Sequence, residues 1–221
     1  MKLSEAVRGV SGTLAADGEF SCIAFATEQE QSQFLTFLEK EKFLPALDNS
    51  KISCVLTTSA LAEKIPPHIK GVFLCDRPKA ALFEIHNRLA RHPDYVGASA
   101  ATVVGEGCSI SPLAAIDREN VVIGDRVTIE PFVVIKGRVI IGNDVTIRSG
   151  AVIGCKGFSF SKDTQGQNVS VEDTARIIIE DHVEIFEQVA ISTGIFPGKR
   201  PGLCPTACAW ATAPGYPSGL S

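Results

Sequence analysis

The sequence has little that would suit a nucleic-acid or membrane partner. Its 21 lysines and arginines are outnumbered by 25 aspartates and glutamates, which gives a net charge of −4. Binding to nucleic acid depends on clustered basic side chains that release counterions, so this balance argues against such a partner. No run of about 18 apolar residues occurs, and the start at Met1 is amphipathic rather than signal-like. We therefore expect no membrane span and a cytoplasmic location.

The sequence also lacks the cysteine patterns of a disulfide framework or a zinc knuckle. Its seven cysteines are odd in number, and none of them forms a Cys-x-x-Cys pair. Cys54 and Cys75 lie in apolar, strand-like runs, where a free cysteine behaves as a small hydrophobic residue. We predict reduced thiols, with neither a metal nor a cofactor.

The first 95 residues alternate helix-like and strand-like segments. Apolar residues spaced by three and four predict helices over residues 36–47 and 79–91. The runs 50–56 and 71–75 are rich in apolar residues and predict strands. A composition of 45% hydrophobic and 21% charged residues is that of a folded protein. We therefore predict a small α/β domain over residues 1–95.

The middle of the chain repeats with a period of six. Branched apolar residues recur at twelve positions, with an insertion after the ninth: Val104, Ile110, Ile116, Ile123, Ile129, Ile135, Ile141, Ile147, Ile153, Ile179, Ile185 and Ile191. The fifth position of each hexad is usually small or β-branched. Neither an α-helix nor a simple strand has this period, whereas a triangular solenoid with three short strands per coil does. A β-sandwich would instead show turns every 8–12 residues or so.

The hexads therefore predict about four coils of a parallel β-helix over residues 96–200, with a loop insertion at about 157–176. Four glycines and four acidic or amide residues follow the apolar positions, where the chain should turn a corner: Gly105, Gly124, Gly142, Gly154, Asp125, Asn143, Asp144 and Asp181.

The last 21 residues, 201–221, break this pattern. They contain no charged residue and hold the only tryptophan of the chain, together with Cys204 and Cys208. We interpret them as a disordered or non-native tail, such as a shifted reading frame would produce. A genuine short apolar docking tail is the alternative.

The insertion carries a family resemblance. The run Gly154-Cys155-Lys156-Gly157-Phe158-Ser159-Phe160, followed by the coil from Ile177 to Ile185, resembles the same region of the UDP-3-O-acylglucosamine N-acyltransferases of lipid A synthesis. Stretches within residues 35–43, 51–57 and 72–78 resemble that family in order and spacing. The resemblance implies a left-handed β-helix, a UDP-sugar substrate, acyl carrier protein as the acyl donor and a homotrimer when full length.

The resemblance also implies the substrate-binding residues. Phe37 and Phe43 fall on the two aromatic positions of the family's uridine-binding domain, where their rings would stack on uracil. Lys40 and Lys42 would then meet the diphosphate. Taken without the family, Phe37 and Phe43 are core residues of an amphipathic helix. The second aromatic is a tyrosine in the family, and Lys40-Glu41 stands in place of Asn-Pro.

The two aromatic residues of the insertion, Phe158 and Phe160, are assigned to the same substrate site. In the Ile191-Ser192-Thr193-Gly194 run, hydroxyls replace a charged pair of the family.

The catalytic residue is unknown. In the family a histidine in an Ile-Ala-His-Asn run, one or two coils beyond Ile191, serves as general base, and no such run exists here. We therefore expect the chain to be cut off before that coil and to be inactive in transfer. His182, the only histidine of the solenoid, is interpreted as a solvated corner residue, and His68, His86 and His92 as surface or helix-face residues.

Two other functions stay open. A non-catalytic nucleotide-sugar-binding or scaffold protein is favoured by the missing histidine. An acetyl-CoA-dependent sugar acetyltransferase would share the hexads without needing the domain that carries Phe37 and Phe43.

Overall fold

A computed structural model describes residues 1–163 and 165–197. They form two compact units. The first joins Met1–Gly97 with Phe158–Thr174 and residues 195–197, and the second contains Ala98–Gly157 and Ala175–Gly194. The predicted tail at 201–221 lies outside the described residues, and the predicted domain boundaries stay predictions. None of the described helices has the length and apolarity needed to cross a membrane.

The N-terminal unit is built on a five-stranded mixed sheet of order β1-β5-β4-β3-β2. Its strands are β1 Thr13–Ala16, β2 Cys22–Ile23, β3 Phe34–Leu38, β4 Ile52–Thr57 and β5 Gly71–Leu74. Only β1 runs antiparallel to its neighbour. The helices are α1 Leu3–Ala6, α2 Pro78–Leu89 and α3 Pro93–Val96, and two 3₁₀ helices cover Glu41–Asp48 and Ser59–Lys64. The predicted strands 50–56 and 71–75 and the helix 79–91 are confirmed.

The helix predicted over residues 36–47 is wrong. Strand β3 runs through Leu38 and pairs in parallel with β2 on one side and β4 on the other, so sheet pairing overrides the local helical spacing. The 3₁₀ helix that follows contains Pro45, which lacks an N–H donor and disfavours a regular α-helix. An apolar run buried in the middle of a sheet cannot be told from a buried helix by spacing alone.

Helix α2 is buried on more than one face. One face packs on strands β3 and β4 through residues such as Leu82 and Ile85. Phe83 and His86 are buried as well and contact the ring of Phe196. A helix that covers only a sheet would be apolar on one stripe, so the second buried face reflects a second partner.

The second unit is the predicted left-handed parallel β-helix. In chain order its strands are β6 Val103–Val104, β7 Ser109–Ile110, β8 Ala115–Ile116, β9 Val121–Ile123, β10 Thr128–Ile129, β11 Val134–Ile135, β12 Val139–Ile141, β13 Thr146–Ile147, β14 Val152–Cys155, β17 Ile177–Ile179, β18 Glu184–Ile185 and β19 Ala190–Ser192. The antiparallel hairpin of β15 Phe160–Lys162 and β16 Asn168–Ser170 interrupts them and groups with the N-terminal unit.

The twelve solenoid strands form three parallel sheets of four strands, one strand per coil. Their register stacks the hexad residues in three columns: Val104, Ile123, Ile141, Ile179; Ile110, Ile129, Ile147, Ile185; and Ile116, Ile135, Ile153, Ile191. The six isoleucines from Ile123 to Ile153 are buried, and the four coils of the prediction are confirmed. The core residues are less buried in the two outer coils: Val104 is 46% exposed in the first, and Val183 and Val189 are partly buried in the last described coil.

The corner glycines are required by close stacking of the coils. A Cβ on Gly142 would lie 2.4 Å from Asp181 Oδ1 and 2.7 Å from the Asp181 amide nitrogen. That aspartate oxygen in turn accepts the Asn143 N–H at 2.7 Å. The same arrangement repeats one coil earlier, where Asn143 Oδ1 accepts the Asp125 N–H at 2.8 Å. The Gly-Asx pattern therefore satisfies backbone donors that would otherwise have no partner at a corner.

Candidate functional site

The aromatic pair predicted to grip uracil lies on adjacent elements of the N-terminal unit. Phe37 is on β3, half-buried against the core under α2. Phe43 is on the 3₁₀ helix and is 55% exposed. Among the described residues no ring contact joins the two. Phe37 is therefore partly a core residue, whereas Phe43 has a ring available to a ligand.

The predicted lysines are both exposed and lie beside Phe43. Lys42 Nζ stands 4.8 Å from the centroid of the Phe43 ring, a cation–π contact worth about 0.5–1 kcal/mol at an exposed site. Lys64 Nζ donates to Glu41 Oε1 at 2.5 Å. Because this carboxylate is paired with Lys64, it is less available to pair with Lys40 or Lys42.

The N-terminal unit also has a shallow cleft of about 450 Å³ that the sequence did not indicate. It is lined by Ala26, Thr27, Gln29, Pro45, Ala46, Asp48, Asn49, Ser50 and Lys51. Asn49 holds its rim by donating to the carbonyl oxygens of Ala26 and Glu28 at 3.2 and 2.7 Å. None of the predicted substrate-binding residues lines this cleft.

Phe158 and Phe160 form an exposed aromatic pair at the start of the hairpin. Their ring centroids are 4.9 Å apart and their planes meet at 65°, an edge-to-face arrangement. Phe158 is 94% exposed and Phe160 is 54% exposed. Two neighbouring aromatic rings left in water are typical of a surface that binds a ligand or partner. The prediction that they bind substrate stays a prediction.

The N-terminal unit contains an aromatic cluster that the sequence did not reveal. The Phe196 ring contacts Phe25 edge-on at 5.1 Å, stacks with Phe83 at 6.2 Å and meets His86 edge-on at 5.0 Å. Phe196 follows the last hexad, far in sequence from its neighbours, and no local pattern connects them. This cluster helps to bury His86.

His86 is a buried helix-face histidine with both ring nitrogens engaged. Nε2 lies 2.7 Å from the carbonyl oxygen of Glu172 and Nδ1 lies 3.1 Å from the Tyr95 hydroxyl. Burial lowers the pKa of His86, although the nearby carboxylates of Glu172 and Asp173 oppose the shift. With its nitrogens used inside the unit, His86 is not placed to serve as a catalytic base.

The other histidines are also placed as the sequence suggested. His182 sits at a solenoid corner with a φ of 61° and an exposed side chain, 3.9 Å from Asp144 Oδ2. His92 is exposed, and His68 Nε2 lies 3.3 Å from the Asn49 carbonyl oxygen. The described histidines are therefore not gathered at one site.

The hydroxyls that follow Ile191 are used within the solenoid. Thr193 donates its N–H and its hydroxyl to the Cys155 carbonyl oxygen at 3.0 and 3.3 Å. Ser192 Oγ lies 3.3 Å from Cys155 Sγ.

Burial raises the pKa of the Cys54 and Cys75 thiols to about 11, which keeps them protonated, in agreement with the core role predicted for both.

Comparison with known proteins gives one match to the repeats and several to most of the chain. Residues 120–155 match a model described as Bacterial transferase hexapeptide (six repeats). The UDP-3-O-acylglucosamine N-acyltransferase of Coxiella burnetii is 28% identical over 217 residues, covering 87% of this chain and 63% of the relative. Those of Helicobacter hepaticus and Helicobacter pylori are 30% and 24% identical, covering 85% and 89% of this chain and 61% and 64% of each relative.

These matches confirm the family resemblance. It extends across both units and is not limited to the hexads, since the matched regions cover more than four fifths of the chain. The chain spans about 63% of the length of the Coxiella relative. The N-acyltransferase name belongs to the longer relatives.

Proposed function

We propose that this chain is the nucleotide-sugar-binding and scaffold part of a UDP-3-O-acylglucosamine N-acyltransferase. The N-terminal unit binds a UDP-sugar through Phe37, Phe43 and the hairpin aromatics, with Lys40 and Lys42 toward the diphosphate. The observation that supports this most is the exposed ring of Phe43 with a lysine ammonium 4.8 Å from it, in the unit that also presents Phe158 and Phe160.

In the whole protein, the proposed reaction transfers a hydroxyacyl group from acyl carrier protein to the amine of the UDP-sugar. The amine nitrogen attacks the thioester carbonyl, a general base takes the proton from that nitrogen, and the C–S bond breaks to release the carrier thiol. The solenoid would form the walls of this site in a homotrimer. The names of the relatives support N-acylation of a UDP-acylglucosamine, and the carrier-protein donor and the homotrimer are what the family resemblance implies.

Neither His86 of α2 nor His182 of the solenoid is placed to be the base for that reaction. His86 is buried with both nitrogens engaged, and His182 is an exposed corner residue beside Asp144. We therefore expect the 221-residue chain to bind the sugar nucleotide without transferring an acyl group. Loss of a general base typically lowers the rate by about 10²–10⁴-fold.

The test is to incubate the purified chain with a 3-hydroxyacyl carrier protein and a UDP-glucosamine acceptor, and in parallel with acetyl-CoA. No transfer is expected from either donor. Transfer from the carrier protein that is abolished by His182→Ala would contradict this account and make His182 the base. Transfer from acetyl-CoA alone would favour a sugar acetyltransferase instead.

The histidine positions also favour the second candidate, a nucleotide-sugar-binding protein without catalysis. Both candidates bind the same ligand at the same predicted site. They differ in activity, because the non-catalytic protein would transfer no acyl group even as a longer chain. The same assay on a chain extended to the length of the relatives separates the two.

A further inference from the structure

The hairpin of β15 and β16 is joined to helix α2 by side-chain hydrogen bonds rather than by a large apolar contact. Most residues of its two strands are exposed, and Val171 just beyond them is a buried apolar anchor. With so little apolar area buried by the strands, polar contacts have to fix the position of this hairpin.

Asn87 makes the most complete of these contacts. Its Nδ2 donates to the Ser170 carbonyl oxygen at 2.9 Å, and its Oδ1 accepts the Glu172 N–H at 2.8 Å. One side-chain amide thus pairs with a donor and an acceptor of the same extended segment, as the backbone of a neighbouring strand would. Replacing Asn87 removes both bonds at once.

His86, which directly precedes Asn87 in helix α2, contacts the same segment. Because the Glu172 carbonyl oxygen can only accept, the 2.7 Å contact places the ring hydrogen on Nε2. The neutral ring then accepts the Tyr95 hydroxyl at Nδ1, at 3.1 Å. This tautomer uses both nitrogens without a charge.

Arg77 holds the opposite end of the hairpin. It precedes α2, and its guanidinium donates to the Asp163 carbonyl oxygen at 2.7 Å, at the turn between β15 and β16. Side chains at both ends of α2 therefore grip the hairpin by its backbone. We call Arg77, His86 and Asn87 the helix clamp.

We propose that the helix clamp positions the Phe158–Phe160 pair in the UDP-sugar site, so that its residues set ligand affinity through the hairpin without touching the ligand. This rests on the proposed function, which assigns the two rings to that site. Asn87 and His86 are accordingly positioning residues. Through the clamp, a hairpin inserted in the solenoid sequence is fixed to the N-terminal unit and contributes to its ligand site.

The histidine makes the clamp sensitive to acid. Protonation puts a hydrogen on Nδ1, which then faces the Tyr95 hydroxyl hydrogen and forces that hydroxyl to turn. The groups that face His86 from the packed elements are Tyr95 of α3, Glu172 and Asp173 after β16, and the Phe196 ring. The two carboxylates favour the charged ring and burial opposes it, and burial prevails, so the neutral form is the one that grips the hairpin.

Amide hydrogen exchange on the full chain tests the first step. Asn87→Ala should raise exchange of hairpin amides such as that of Val171, which donates to the Ser159 carbonyl oxygen, by about tenfold, with the amides of β3–β5 unchanged. Glu84→Ala, at an exposed position of the same helix, is the matched control. Arg77→Ala is the second variant if Asn87→Ala does not fold. Hairpin protection equal to that of the wild type in both variants would overturn the clamp.

Titration with UDP-N-acetylglucosamine tests the second step. We expect Asn87→Ala to bind about tenfold more weakly, the scale of one lost base-stacking contact. Unchanged affinity in a variant with a loosened hairpin would refute the positioning role. Failure of the wild type to bind would instead refute the proposed ligand, and the exchange result alone would then decide whether the clamp fixes the hairpin.

Measuring hairpin protection as a function of pH gives a response that a contact without a titratable group would not show. A His86 ring released from the clamp gains its proton near pH 6.5, whereas burial lowers the pKa of the clamped ring. The clamp therefore loses stability as the pH falls below about 6.5, and its stability does not change with pH above that value. Hairpin protection, corrected for intrinsic exchange, should therefore fall between pH 7.5 and 5.5 in the wild type. In His86→Gln it should stay constant, because glutamine has no group that gains a proton in this pH range. An equal pH response in both proteins would contradict the assignment.

Discussion

The solenoid and the N-terminal unit bury their cores through contacts of different range. In the solenoid, Ile141 packs in register on Ile123 of the preceding coil and Ile179 of the following one, and each column repeats that contact. In the N-terminal unit, helix α2 meets β3 and β4 on one face and Phe196 on another. The solenoid is therefore held by a contact that every coil repeats, whereas the N-terminal unit, which carries the proposed ligand residues, is held by contacts that each occur once.

The largest effect should come from placing a charge in an isoleucine column. Ile141→Asp puts a carboxylate where the neighbours are apolar residues of three coils, and we expect a loss of more than about 3 kcal/mol in the free energy of unfolding. Val122→Asp is the control, since Val122 lies on the neighbouring strand but points outward. Urea titration followed by circular dichroism measures both. Equal stabilities would mean that the columns are not the core.

A smaller effect should come from the solenoid corners. Gly142→Ala places a Cβ 2.4–2.7 Å from Asp181 and should destabilise by about 1–3 kcal/mol through overpacking. At Gly150 a Cβ has room, with its nearest neighbour at 3.5 Å, but the φ of +74° makes alanine strained by about 1–2 kcal/mol.

The two glycines separate close approach from backbone conformation. Gly150→Asn should recover most of the loss, because asparagine tolerates the left-handed region, whereas Gly142→Asn should not. If asparagine rescued both positions, the close stacking of Gly142 on the next coil would not be the reason for that glycine.

The solenoid could be predicted from the sequence because its period places each residue. Knowing that Ile135 is inward is enough to place Ile153 and Ile116 above and below it. The corner residues follow too, since Asn143 and Asp181 recur at the same position of the coil and accept backbone N–H groups in the same way.

The N-terminal unit could be predicted only in part. The sequence predicts strand β4 and helix α2 correctly, but it predicts a helix over residues 36–47, where β3 ends, because the pairing of β3 with β2 and β4 depends on tertiary contacts. The helix clamp cannot be predicted from the sequence, because Asn87 and Glu172 are 85 residues apart and no local pattern connects them. The substrate residues came from the family resemblance rather than from the residues alone, and they stay predictions.

The most direct test of the account is the affinity of the chain for UDP-N-acetylglucosamine, measured by calorimetry on wild type, Phe43→Ala and Phe132→Ala. Phe132 is 66% exposed on the solenoid and so controls for the loss of an exposed ring outside the proposed site. We predict that Phe43→Ala loses about 1–3 kcal/mol of binding free energy and that Phe132→Ala binds like the wild type. Equal binding by all three proteins, or no binding by the wild type, would contradict the assignment of the sugar-nucleotide site to the N-terminal unit.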